Sequence, residues 1–198
     1  MMDLSDLGLE LGTSFLAVCT AFGLAAACGL RVFLPLFLGG LAARLEFLSL
    51  HEHFGWLGST IALVVFGLAT LLEILSYHVP LLDHALDVAA TSVAAIAGAI
   101  LSLAVLADFD PWLRWSLALM VGTSLPTAIR LPVASTRVAS TVTTAGIGNQ
   151  LIAVAESVGA ALLTGFAVLV PVVVVPLILV LVVAVWLLIR RRRRRAPN

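Results

Sequence analysis

Long apolar runs, cut by short polar patches and prolines, set the plan of this chain. Leu9 to about Gly29 is predominantly apolar, with Glu10 its one charged residue, and as a helix it is long enough to cross a hydrocarbon core of about 30 Å. After Arg31 comes a shorter run, Val32 to Leu45, holding Pro35 and Gly39-Gly40. Its fourteen residues rise about 21 Å as a helix, too little for a comfortable crossing, so a broken or re-entrant segment is expected. The polar patch Glu46 to His53 reads as a loop, Leu57 to Val79 as the next span, and Pro80 as its end.

Leu82 to Ala107 predicts a span that closes the first half, with Ala90, Ala94 and Gly98 at four-residue spacing forming a smooth strip for close helix packing, and the second half follows the same order. Asp108, Asp110 and Pro111 mark its exit loop, and Trp112 to Ile129 spans again. Pro132 to Asn149 is rich in Ser, Thr and Gly, too polar to face lipid, and matches by position the short piece after Arg31. Asn149 to Leu169 and Val172 to Ile189 complete the set, with Pro171 between them as Pro80 stands between the earlier pair. The expected fold is all-α: a polytopic membrane protein of about six transmembrane helices plus two short broken or re-entrant segments. It forms one integral membrane domain, 1–189, whose halves, 9–107 and 112–189, read as an inverted repeat of the kind common in secondary transporters.

Composition agrees. At 198 residues, 62% hydrophobic, with mean hydropathy +1.16, a soluble fold has nowhere to put these runs. The zero net charge conceals an asymmetry: six of the eleven basic residues are the run Arg190 to Arg195, and there is no lysine. That basic tail, 190–198, follows an apolar span directly and by the positive-inside rule places the C-terminus in the cytoplasm of a bacterial cytoplasmic (inner) membrane. The acidic N-terminus, Asp3, Asp6 and Glu10, lacks the positive charge of a signal peptide, so the first helix is expected to stay. Counting crossings back from the tail puts Arg130 and Arg137 inside, the Asp108 to Arg114 loop outside, Pro80 inside and the His51 loop outside. Cys19 and Cys28, nine apart on one helix, cannot pair in a disulfide.

Ionised groups within the apolar runs carry the candidate chemistry, because each costs roughly 2.5 to 3.5 kcal/mol to insert and by default serves a site. In each half the order is arginine, proline, glutamate: Arg31, Pro35, Glu73, then Arg130, Pro132, Glu156. Arg31 and Arg130 precede the two broken segments, where a guanidinium grips a phosphate or carboxylate in bidentate fashion; alternatively they snorkel to opposite interfaces. With Arg137, Thr143, Thr144 and Asn149 they form the substrate-binding set. Glu73, Asp83, Asp87 and Glu156 form the set for proton or cation coupling. Asp83, Asp87 and Thr91 share one helical face, as do Asn149 and Glu156, beside which Ala153 and Ala160 leave room. The plain alternative for the Ser/Thr stretch is a packing surface whose hydroxyls bond back to their own helix. His51 and His53 lie on the opposite face from His78 and His84, so no metal site is expected, and no cofactor is either. No phosphate loop, HExxH or serine elbow is present, and a covalent catalyst is unsupported.

Three segments carry a resemblance to a known family: Gly29-Leu30-Arg31-Val32-Phe33-Leu34-Pro35; Glu73 through Pro80-Leu81-Leu82-Asp83 to Asp87; and Ala139-Ser140-Thr141-Val142-Thr143-Thr144-Ala145-Gly146-Ile147-Gly148-Asn149 to Glu156. Over roughly Gly23 to Val170 the chain resembles the bacterial integral membrane proteins grouped as domain of unknown function 4126. The Ser/Thr-rich element ending in Gly-x-Gly-Asn is its most specific part. Members often carry Asp-Lys before the proline where this chain has Tyr77-His78, so a charge expected there is absent. The resemblance implies membrane location and no particular activity.

The favoured expectation is a small transporter or flippase for an anionic or lipid-phosphate substrate, coupled to protons or cations. An enzyme acting on a lipid head group and a non-catalytic assembly subunit are the competitors, with an enzyme less expected. The lipid bilayer is the expected partner, nucleic acid is not, and a homodimer is left open.

Overall fold

The fold is that of a computed structural model, which describes residues 4–76, 80–144, 147–180 and 183, apart from the side chains of 4–7, 76 and 80–89. The elements are α1 (Leu4–Leu30), α2 (Phe33–Arg44), a short 3-10 helix (Glu52–Gly58), α3 (Thr60–Ser76), α4 (Pro80–Val105), α5 (Pro111–Thr144) and α6 (Ile147–Leu169). A further apolar helix, α7, covers Pro171–Val180. No strand occurs among the described residues.

The C-terminal half of α1 is the axis of the fold. It packs against α2, α4, α5 and α6, and Leu24, Ala25, Ala26, Ala27 and Cys28 are wholly buried. The outer faces are apolar as well: Ile61, Val64, Leu68 and Leu72 on α3 and Leu151, Val154 and Val158 on α6 are exposed. A soluble protein would place polar groups there, whereas a bilayer accepts this surface. The strip expected on α4 is used for close packing: Ala94 is buried, and at Gly98 an added Cβ would collide with the Gly122 carbonyl of α5.

Two of the helix breaks fall beside prolines. Pro35 cannot donate to the carbonyl four residues back, which is that of Arg31, and the break between α1 and α2 falls at Arg31 and Val32. Pro35 then sits in the first turn of α2, where amides lack intrahelical partners and its missing N–H is not needed. The short α2 closes with Glu46 in the left-handed region (φ 62), and Phe47 N–H reaches back to the Ala42 carbonyl at 2.9 Å. Pro171 likewise separates α6 from α7.

The second expected broken segment is corrected. Residues 132–144 are not broken: α5 runs unbroken from Pro111 to Thr144 with Pro126 and Pro132 inside it. Pro132 follows Arg130 by two residues rather than four, so it frees the Ala128 carbonyl, deep within a helix already formed on both sides. The hydroxyls beyond it bond back to their own helix, Thr136 to the Pro132 carbonyl at 2.9 Å and Thr141 to that of Arg137 at 3.0 Å. Polarity here is satisfied internally, which is the packing-surface alternative. The halves therefore differ at the position where they were expected to match.

By length and composition, the described residues give three membrane-length helices, Gly8–Leu30, Pro111–Thr144 and Ile147–Leu169. The 3-10 helix with α3, bent by 58°, makes a fourth if counted as one span. Ala90–Val105 and Pro171–Val180 are shorter apolar helices. At 34 residues, α5 is about 50 Å long and exceeds a hydrocarbon core of about 30 Å.

Candidate functional site

Three charged side chains are buried together at the junction of the α1–α2 break with α5 and α6, Arg31 1% exposed, Arg137 4% and Glu156 5%, and a fourth, Arg130, is buried on α5 at 6%. Arg137 grips Glu156 with both arms of its fork: Nε donates to Oε1 at 3.0 Å, and Nη2 donates to Oε2. Arg31 approaches the same carboxylate, its Nε 4.0 Å from the Oε2 that Arg137 also holds. Its Nη2 donates to the Ala153 carbonyl at 2.7 Å, an oxygen that also accepts the Ser157 hydroxyl at 2.9 Å. Two guanidiniums thus converge on one carboxylate. The small residues Ala153 and Ala160, both buried, let α6 come close enough for this.

Glu73 lies on α3 and does a different task. Its Oε1 accepts from Val32 N–H at 3.0 Å and its Oε2 from Phe33 N–H at 3.1 Å. The residue preceding α2 is Val32, whose side chain has no acceptor, so a carboxylate forty residues away in sequence caps that helix and complements its positive end. Glu73 therefore holds the break next to Arg31.

The remaining predicted residues divide. Arg130 precedes Arg137 by two turns on α5 and is buried on the same side. Asn149 is tied to the α5–α6 turn, its Nδ2 donating to Thr141 Oγ1 at 2.9 Å. Thr143 donates to the Ala139 carbonyl at 2.8 Å, and Thr144 donates to that of Ser140 at 2.7 Å while accepting from Gly148 N–H at 3.0 Å. Both are exposed at the turn, and the structure does not bring them to the Arg–Glu cluster. The side chains of Asp83 and Asp87, and residues 77–79 and 190–195, lie outside the described residues.

A cleft of about 310 Å³ leads to the cluster, lined by Arg31, Ile74, Gln150, Ala153, Val154, Ser157 and Val158. Gln150 and Ser157 were not singled out from the sequence, although they stand seven apart on α6 and so share a face with Ala153. The Ala153 carbonyl and the Val32 and Phe33 amides left no sequence signal, since every residue except proline carries such groups.

Fold and site together define an all-helical protein with membrane-length apolar helices and a charged cluster buried among them. The family model described as domain of unknown function (DUF4126) matches residues 18–191. The chain belongs to that family. No curated protein and no solved structure matches it.

Proposed function

We propose that this protein is a small secondary transporter or flippase of the bacterial cytoplasmic membrane, moving an anion in step with a proton. In this reading the chain crosses the membrane about six times, its C-terminus is cytoplasmic, and its two halves meet at the site from opposite faces. The observation that carries the proposal is the buried Arg31–Glu156–Arg137 cluster. Burying three charges is expensive, and replacing such groups by apolar ones is often neutral or stabilising, so stability alone is a weak reason to keep them.

The geometry supports exchange at one carboxylate. While Glu156 is ionised it occupies the fork of Arg137 and offsets one of the two guanidinium charges beside it. A proton on Glu156 removes that charge, and a substrate oxyanion then takes its place against the guanidiniums, which accept phosphate and carboxylate alike. Loss of the proton returns Glu156 to the fork and expels the anion. Proton and anion consequently travel in the same direction.

The test is flux in liposomes reconstituted with the purified protein. Imposed pH gradients should drive uptake of a labelled phosphate-bearing probe, and Glu156→Gln, which keeps the shape and removes the titrating group, should abolish the drive while leaving the protein folded. Uptake by Glu156→Gln that still follows the pH gradient at the wild-type rate would overturn the proposal.

A further inference from the structure

The cleft that reaches Arg31 is built from two helices whose outer faces are apolar. Ile74 of α3 forms one wall, and Val154 and Val158 of α6 form the other. These apolar wall residues are themselves open, Ile74 38% exposed, Val154 61% and Val158 53%, a surface that bilayer chains cover. Its floor is a guanidinium, with Gln150 and Ser157 as the other polar side chains. A polar floor under an apolar mouth is the complement of an amphiphile, not of a free ion.

Size points the same way. At about 310 Å³ the cleft equals roughly ten water volumes, enough for a phosphate-sized head and its first few carbons. A whole lipid does not fit. The chain would have to remain in the bilayer between α3 and α6.

We propose that the substrate is a lipid with an oxyanion headgroup, which enters sideways from the bilayer between α3 and α6 and sets its head on Arg31. This deepens the transporter reading and rests on it. The acyl or prenyl chain is held by Ile74, Val154 and Val158, while Gln150 supplies an amide donor at the mouth.

Two measurements test it. In liposomes holding the purified protein, a fluorescent phosphatidic acid should cross between leaflets at least tenfold faster than the matching phosphatidylcholine, and inorganic phosphate should not be taken up. Val154→Trp/Val158→Trp, which fills the mouth, should cut the lipid rate at least tenfold. Independently of that variant's folding, a cysteine at Val154, with Cys19 and Cys28 replaced by alanine, should react with a maleimide carried on an acyl chain. Phosphatidic acid, and not phosphatidylcholine, should protect it.

Proton-driven uptake of inorganic phosphate without movement of the labelled lipid would overturn sideways entry and leave the transporter reading standing. Equal rates for the two lipids, or equal protection by them, would also overturn it. Movement of neither probe, with or without a pH gradient, would sink both.

Discussion

Glu73→Gln separates a helix cap from a proton carrier, because the two roles predict different losses. The carboxylate uses one oxygen for each of two amides, Val32 N–H at 3.0 Å and Phe33 N–H at 3.1 Å. A carboxamide has one carbonyl oxygen and turns an NH2 toward the second amide, so one half-buried donor loses its partner at a cost of about 1–3 kcal/mol. Removing the negative charge from the N-terminus of α2 costs a further 0.3–1 kcal/mol or so. The sum, about 1.3–4 kcal/mol, should lower the unfolding midpoint in detergent. Where the break opens locally, it should speed hydrogen exchange at Val32 and Phe33 by roughly tenfold or more. Glu73→Asp, whose shorter arm keeps the charge, should restore part of the protection. If Glu73→Gln leaves exchange at these two amides and the midpoint unchanged, Glu73 is not the cap of α2.

Other substitutions probe the packing and the cluster. Glu156→Leu should cost about 3–5 kcal/mol because it leaves Arg137 buried beside no carboxylate, and Arg137→Met in the same chain should recover most of that loss; a double variant whose unfolding shift equals the sum of the single shifts would show the two side chains to be uncoupled. Gly98→Val should express poorly or unfold early, since its Cβ meets the Gly122 carbonyl, whereas Gly165→Ala, with nothing within 4 Å of the added atom, should fold as wild type; similar melting curves for the two would refute the close α4–α5 crossing. Glu46→Gly should raise stability by about 1 kcal/mol, because φ 62 strains a residue with a Cβ and not glycine; an unchanged or lower midpoint would count against that strain.

The helices were legible where a run of apolar residues met a proline, and less so where hydroxyls interrupted it. Gly29-Leu30-Arg31 with Pro35 announced a break because the proline removes the bond to the arginine's own carbonyl. The stretch after Arg130 looked like its counterpart, yet Thr136, Thr141, Thr143 and Thr144 each spend the hydroxyl on a carbonyl of α5. Polarity along a sequence does not reveal whether a group is satisfied one turn back. The charged positions were legible one by one, because an ion in an apolar run stands out. Their pairing was not. Symmetry suggested matching Arg31 with Arg130, but the structure joins Arg31 and Arg137 at Glu156, a combination set by how α6 lies against both helices. Glu73 illustrates the same limit, since its partners are backbone amides that sequence cannot single out.

The α5–α6 hairpin is held by two rungs of different character. Near the turn, Asn149 donates to Thr141, both neutral; about one turn further along α5 and two along α6, Arg137 grips Glu156. Only the deeper rung depends on ionisation, so protonating Glu156 weakens the hairpin at its inner end while the turn stays pinned. The inner end is also where α6 meets Arg31, through the Ala153 carbonyl, and Arg31 sits at the one place where α1 and α2 lack helical continuity and depend on Glu73 to hold the break. A change of charge at Glu156 therefore acts on a joint rather than on a rigid helix. The α4–α5 crossing is of a different kind, with Gly98 and Gly122 so close to the facing backbone that a Cβ at either would clash.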